Sequence, residues 1–504
     1  MVKLMDIYRH FCPDNSEGFF KINIMKKIIA MSGSVLFSLG LLAQPSTEIE
    51  KKVDEKAQLI KKYFNDKQID SLYGLMAPSF TKMVSREALE QGLVTQLAPM
   101  GLIGDFDFIS HKNGVSKYKT KMMAGITLQT MVGIDGDGRV STFAMQPYKD
   151  DATPKRTTLY SDNAMKTALD SVVNKAARDY MMDSITAGLS IAVHWQGKDY
   201  FYNYGEADKQ SGKKANAETV YEIGSITKTI TGYLLAKAVT EKRMDLNMPI
   251  TQYLPDSVSR NKALEKITLT HLANHTSGLP RLPVDLYYTP GLNQDDPYAH
   301  YTDAMIMKGL SQIKPTRAPG EQYEYSNYAF GILGTILGRV YQTSFENLAL
   351  QSVFMPMEMQ KTTAGNDLSP QIATGYNEKG IKTSYWRFQS LAAAGSIKSN
   401  AKDMLQYGKE NLKLMNGSSP LATMLLTPTY DIPPTVVSLG WHIENSPGQA
   451  KVYLHGGGTY GFRSQIIVCP EENWVVVTLA NHGADPGASA VAARIVPFLR
   501  SATK

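Results

Sequence analysis

The sequence predicts an α+β chain of two folded units, and three patterns predict it. Between residues 46 and 148, a helical stretch is followed by strand-like runs. From about residue 160, runs suited to strands stand at both ends of a long region. These are "LSIAVHW" and "DYFYNYG" near its start, and "RSQIIVC" and "WVVVTLA" near its end. Between those ends the apolar spacing turns helical, most clearly in "YEIGSITKTITGYLLAKAV", residues 221–239.

Bulk properties agree with such a chain. Its 504 residues suit two or three domains, and 43% apolar with 20% charged residues is a soluble globular composition. The net charge of +6 comes from scattered Lys and Arg. No basic run is interleaved with aromatics, which argues against nucleic acid as a partner. Lys26 and Lys27, an apolar run from Ile28 to Leu42 and then Ala43 have the pattern of a secretory signal over 25–43. Residues 1–24 then read as an upstream extension from a misassigned start, and an uncleaved membrane anchor is the alternative reading of the run. No later segment is apolar enough to span a membrane. Cys12 would leave with the signal, so Cys469 alone remains and no disulfide is expected. A secreted or periplasmic location follows, with cell-wall association an open possibility.

The first unit, residues 46–148, opens with "TEIEKKVDEKAQLIKKYFNDK", an amphipathic helix with Ile49, Val53, Ile60 and Phe64 on one side. Shorter helices are expected at "IDSLYGLM" and "REALEQGLVTQL", and strands from Asp105 onward. Asp135 and Asp137 in "DGDG" suggest a calcium loop, but the remaining ligands are missing. A hairpin turn explains the D-G dipeptides better. Helices first and a curved sheet after resembles the cone-shaped nuclear transport factor 2-like (cystatin-like) fold. The unit holds no constellation of reactive residues. The polar, Pro-containing stretch 149–159 reads as a linker to the second unit, 160–504.

In the second unit, Ser225 and Lys228 are three residues apart and share one helix face. Ile230, Leu234, Leu235 and Val239 continue a buried stripe. A lysine on such a helix is costly to desolvate unless its charge is used. The ammonium and the helix N-terminus both favour alkoxide character on Ser225. The bland alternative is a serine cap beside a solvated lysine.

Two further stretches decide between these readings. "PGEQYEYSNYAFGILG" places Tyr325-Ser326-Asn327 after a Pro-Gly turn and before a helix, and "VYLHGGGTYGFRSQIIV" places His455-Gly456-Gly457-Gly458 between strand-like runs. S-x-x-K, then Y-x-N, then a triplet ending in Gly, in this order, resembles the serine β-lactamase and penicillin-binding-protein superfamily. The likeness is to class C β-lactamases and their esterase and peptidase relatives in particular. "GLSIAVHWQGKDYFYNYGEAD", "RMDLNMPITQYLPD", "ITLTHLANHTSGLP", "LAAAGSIKSNAKDMLQYG" and "SLGWHI" extend it over nearly all of 160–500. The resemblance implies an antiparallel sheet built from both ends of the region, flanked by helices, with a helical lobe inserted between.

It also implies roles. Ser225 becomes the nucleophile of an acyl-enzyme. Tyr325 is its base and the acid for the leaving group, with Lys228 lowering the phenol's pKa. Asn327 offers an amide to Lys228 or to the acyl side chain. The backbone N–H groups of Ser225 and Gly458 form an oxyanion hole, with His455 and Gly457 on the substrate-binding strand. His275 in "NHTSGLP" is expected to support a turn. No metal and no cofactor is called for: H-E-x-x-H spacing is absent and one thiol makes no zinc site.

One departure bears on the substrate. Where β-lactamases carry Lys-Thr-Gly, this chain has His455-Gly456-Gly457. Histidine is largely neutral at pH 7, and Gly456 lacks the hydroxyl that helps hold a carboxylate. Both favour an ester, amide or small peptide over a β-lactam. An enzyme of the same chemistry dedicated to β-lactams or D-Ala-D-Ala peptides is the second reading, and a non-catalytic binder or sensor on the same fold is the third.

Overall fold

The computed structural model describes residues 47–93, 102–122, 127–148, 156–315, 317–433, 435–484 and 487–501. The expected signal at 25–43 and most of the linker fall outside them. The described residues divide into two compact units on either side of position 153, and each has its own core.

In the first unit, helix α1 (Glu48–Asn65) is started by a capping box between Thr47 and Glu50. Val53, Ala57, Ile60 and Phe64 form its buried stripe. Ile49, expected in that stripe, sits in the first turn and stays half exposed. The helix packs on β1 (Ile103–Lys112), β2 (Val115–Met122) and β3 (Thr127–Ile134), which with β4 (Val140–Pro147) form an antiparallel sheet in sequence order. Tyr118, Val132 and Val140 complete the core. Between β3 and β4, Asp135 Oδ1 accepts from the backbone N–H groups of Asp137 and Arg139, and Gly138 adopts φ +73°. The carboxylate is thus engaged by the hairpin turn.

The second unit is built on a nine-stranded sheet. In chain order its strands are β5 (Gly188–Trp195), β6 (Lys198–Asp208), β7 (Lys213–Lys214), β10 (Tyr430–Ile432), β11 (Thr435–Val437), β12 (His442–Glu444), β13 (Val452–Gly458), β14 (Arg463–Cys469) and β15 (Trp474–Ala480). The spatial order is β10-β11-β12-β13-β14-β15-β5-β6-β7, with every neighbouring pair antiparallel. A separate pair, β8 (Val220–Glu222) and β9 (Lys398–Asn400), carries the entry to the helical lobe.

Both faces of the large sheet are covered. On β15, Val475, Val477 and Leu479 join one core while Trp474, Val476 and Ala480 join the other. Helices α2 (Ala168–Met181) and α6 (Gly487–Ser501) cover the second face, and α5 (Ala401–Met415) packs on the first. This double burial is why "WVVVTLA" is apolar throughout rather than at alternate positions. The lobe contributes α3 (Thr227–Thr240) and α4 (Asn327–Tyr341). Helix α3 is buried nearly all round its first two turns, where Thr227, Lys228, Thr229, Ile230, Thr231 and Gly232 are all enclosed. The single apolar stripe expected from its spacing is therefore too narrow a description.

Each unit encloses its own core, so a chain beginning at residue 156 is expected to fold alone. Circular dichroism should show native-like signal and one cooperative thermal transition. Loss of that transition would mean that the second core depends on the first unit.

Candidate active site

The nucleophile candidate sits on a tight turn rather than on α3 itself. Gly224–Ile226 form one 3₁₀ turn before the α-helix begins at Thr227. Gly224 has φ +48°, and a Cβ there would lie 2.7 Å from Gly458 N. Only glycine accepts that backbone angle cheaply and allows such an approach. From the opposite side, a Cβ on Gly457 would lie 2.0 Å from Ile223 O, and Ser464 Oγ donates to the same carbonyl at 2.8 Å. The end of β13 is thus pressed directly onto the turn that carries Ser225.

Ser225 is partly exposed between buried neighbours. Lys228 is fully buried. Its Nζ donates to Ser225 Oγ at 3.0 Å and to Ala394 O at 2.7 Å. It also lies 4.8 Å from the centre of the Tyr325 ring and 5.6 Å from that of Phe330, within cation–π range. The solvated-lysine reading fails on burial, and no side chain caps the helix start.

Tyr325 and Asn327 stand at the entry to α4, whose N-cap Ser326 accepts from Ala329 N at 3.0 Å. His275 holds this entry: its Nδ1 accepts from Ser326 N at 3.0 Å, and its ring stacks on Tyr325 at 4.3 Å. Burial, with the Lys228 charge second, drives the His275 pKa well below its usual value. The neutral ring then keeps Nδ1 free to accept. This is the supporting role expected of it. Asn327 Oδ1 is buried without a hydrogen bond, so it does not take one from Lys228.

His455 to Gly458 lie on β13 itself, and the reversal into β14 comes after them, where Thr459 N bonds Phe462 O. His455 is 3% exposed, and its ring centre is 6.3 Å from that of Tyr325 and 5.1 Å from that of His442. Nδ1 bonds Gly456 O at 2.6 Å. Burial and the Lys228 charge lower its pKa to about 3. The structure thus brings Ser225, Lys228, Tyr325, Asn327, His455, Gly457 and Gly458 into one neighbourhood. The structure also shows what the two glycines make room for. The room left by Gly457 faces the Ile223 carbonyl. The room left by Gly458 faces the Arg463 guanidinium, with Nη1 2.9 Å from a would-be Cβ.

The Beta-lactamase family model matches residues 173–497. The chain belongs to the β-lactamase family. It is similar to β-lactamases of Yersinia enterocolitica, 26% identical over 349 residues (62% of this chain, 86% of the relative), and of Pseudomonas fluorescens, 27% over 298 residues (58% and 79%). The β-lactamase of Escherichia coli K12 is 25% identical over 353 residues (62% and 89%). Among solved structures, a β-lactamase/D-alanine carboxypeptidase from Pseudomonas syringae superposes with a TM-score of 0.58 at 24% identity, covering 66% of this chain and 99% of that one. That likeness speaks for the fold, a mixed α+β architecture of antiparallel sheet and flanking helices. As a β-lactamase family member the protein is a serine hydrolase.

Sequence reasoning passed over several residues around this family site. Glu222, three positions before Ser225, is 4% exposed and accepts from Trp386 N and from Thr459 Oγ1, both at 2.7 Å. It pairs across strands with Lys398, itself buried and donating to Gly365 O at 3.1 Å. Glu222 therefore ties the turn that carries Ser225 to the residue after Gly458. A carboxylate inside the apolar run from Val220 to Ile226 was the available signal. Tyr323 and His442 bond at 2.9 Å, and they lie too far apart in sequence for spacing to pair them.

Burial pushes the Glu222 carboxyl up from 4.5 to about 7, against the lowering effect of Thr459 and Lys398. The folded state then holds this proton more tightly than the unfolded chain does. Its contribution favours folding below about pH 4.5 and is lost as pH rises through about 7. Glu222→Gln removes that dependence. The melting temperature of the variant relative to the parent should rise between pH 5.5 and pH 8, which calorimetry at the two values would read. A difference independent of pH would contradict this account.

Proposed function

We propose that the protein is an exported serine hydrolase that cleaves an ester, amide or small peptide through an acyl-enzyme on Ser225. One observation carries the reading: a fully buried Lys228 Nζ lies 3.0 Å from Ser225 Oγ and against the Tyr325 ring. In this scheme Ser225 Oγ attacks the carbonyl carbon as its proton passes to the phenolate form of Tyr325, which the Lys228 ammonium favours. The bond to the leaving group then breaks, and Tyr325 returns the proton to the departing alcohol or amine. Water releases the acyl group by the reverse sequence. The N–H groups of Ser225 and Gly458 hold the oxyanion, and Asn327 Oδ1 is available to the acyl side chain.

The substrate preference rests on His455. With its pKa lowered to about 3, it is uncharged throughout the working range and offers no cation to a carboxylate. A class C-type β-lactamase or D-Ala-D-Ala carboxypeptidase activity is the second reading, favoured by what the relatives and the Pseudomonas syringae neighbour are named for. Export rests on the pattern at 25–43, and no helix among the described residues is long and apolar enough to cross a membrane. The first unit, a helix on a four-stranded meander, suits a nuclear transport factor 2-like domain that positions or recruits rather than reacts.

Ser225→Ala should abolish both turnover and covalent labelling by a fluorophosphonate, read by intact-mass spectrometry. Labelling that persists would remove Ser225 from the mechanism. Tyr325→Phe should lower kcat roughly 10²–10⁴-fold, the usual contribution of general acid–base catalysis, with little change in melting temperature. Near-normal kcat would give the base role to Lys228. Nitrocefin hydrolysed faster than any p-nitrophenyl ester would favour the second reading.

A further inference from the structure

The loss of charge at position 455 is accompanied by a reversal of hydrogen-bonding sense. A carbonyl oxygen can only accept, so the 2.6 Å contact between His455 Nδ1 and Gly456 O requires the proton on Nδ1. Nε2 is then a bare lone pair. It is buried, and among the described residues no group donates to it. The lysine of the Lys-Thr-Gly pattern presents three donors and no acceptor. His455 presents one acceptor in its place.

The surroundings narrow what this acceptor takes. A second buried acceptor without a donor, Asn327 Oδ1, stands two residues from Tyr325. The Lys228 cation, against the Tyr325 ring, disfavours another positive charge nearby, and it contributes to keeping His455 neutral. At these two atoms a carboxylate would meet acceptors and a neutral imidazole; the guanidinium groups of the region, Arg281 over the Tyr325 ring at 5.2 Å and Arg463 beside Gly458, stand elsewhere along its wall. A neutral O–H or N–H satisfies the site. Tyr325, which hands the proton to the departing group in the mechanism above, has its ring 6.3 Å from that of His455. The donor therefore belongs to the leaving group.

We infer that the substrate carries a neutral hydrogen-bond donor on its leaving group, such as a second hydroxyl on the leaving alcohol or an amide N–H, and that His455 Nε2 accepts it. This rests on the Ser225 acyl-enzyme reading and names the substrate class for the same site. A monoester of a diol or polyol fits, and an ester of a simple hydroxy acid with a free carboxylate does not.

The test compares three butyrate esters that differ only in the leaving alcohol: 2-hydroxyethyl, 2-methoxyethyl and carboxymethyl. In the full-length protein kcat/KM should be roughly tenfold higher for the hydroxyethyl than for the methoxyethyl ester, as expected for one hydrogen bond to an otherwise unpaired buried group. The carboxymethyl ester should be slowest. His455→Phe keeps a buried ring beside His442 and deletes the acceptor, so its hydroxyethyl-to-methoxyethyl ratio should fall to about one. Equal rates for the hydroxyethyl and methoxyethyl esters in the parent protein overturn the inference, whether or not the variant folds. So does a carboxymethyl ester that is hydrolysed fastest. Turnover of these esters that survives Ser225→Ala instead overturns the acyl-enzyme reading and is distinguishable from either result.

Discussion

A lysine amine enclosed by protein is the constraint around which the helical lobe is arranged. Lys228 has no access to solvent, so its hydrogens must be satisfied from within. Ser225 supplies one oxygen and Ala394 another, while the rings of Tyr325 and Phe330 give it polarisable faces. Bringing the Ala394 carbonyl so close requires thin walls. The short helix Ala392–Gly395 lies against α4, where a Cβ on Gly334 would fall 2.3 Å from Ala393 Cβ. Thr231 Oγ1 on α3 fastens the same helix through Ala393 O at 2.8 Å. Small residues here determine whether the amine has a partner at all.

The histidines show the same economy of charge. His275 and His455 stand near Lys228 and are both held neutral by burial and by that cation. The Lys228 amine stands among them, and the two histidines beside it are prevented from carrying a charge of their own. Neutrality also fixes direction: His275 accepts from the Ser326 backbone, and His455 donates to its neighbouring carbonyl. Ring packing and hydrogen-bond direction, rather than ion pairing, organise the region between Tyr325 and β13.

Much of this was legible in the sequence, for reasons specific to each stretch. The strands β5, β6, β14 and β15 announced themselves through apolar runs, while the spacing of Ser225 and Lys228 became telling only beside the later motifs. Tyr325, Asn327 and His455 became candidates through their order along the chain, which a resemblance can read. Contacts between distant positions were not legible. Lys228 and Ala394 are 166 positions apart, and Tyr323 and His442 are 119 apart; no local pattern links them. What Gly457 and Gly458 make room for was hidden for a related reason. A glycine in a sequence reports that room is needed, and only the fold shows that the room is taken by Ile223 and Arg463.

The order of strands in the large sheet has a consequence for how the chain is made. β5 lies between β6 and β15, and its residues 189–194 pair with residues 475–480. A ribosome must therefore add roughly 280 residues after β5 before its second edge can be closed. Until then Leu189, Ile191 and Val193 belong to a core whose other half does not exist. The nascent second unit remains open along that edge for most of its synthesis. The helical lobe, encoded between the two edges, rests on a sheet that is finished only when the last strand arrives.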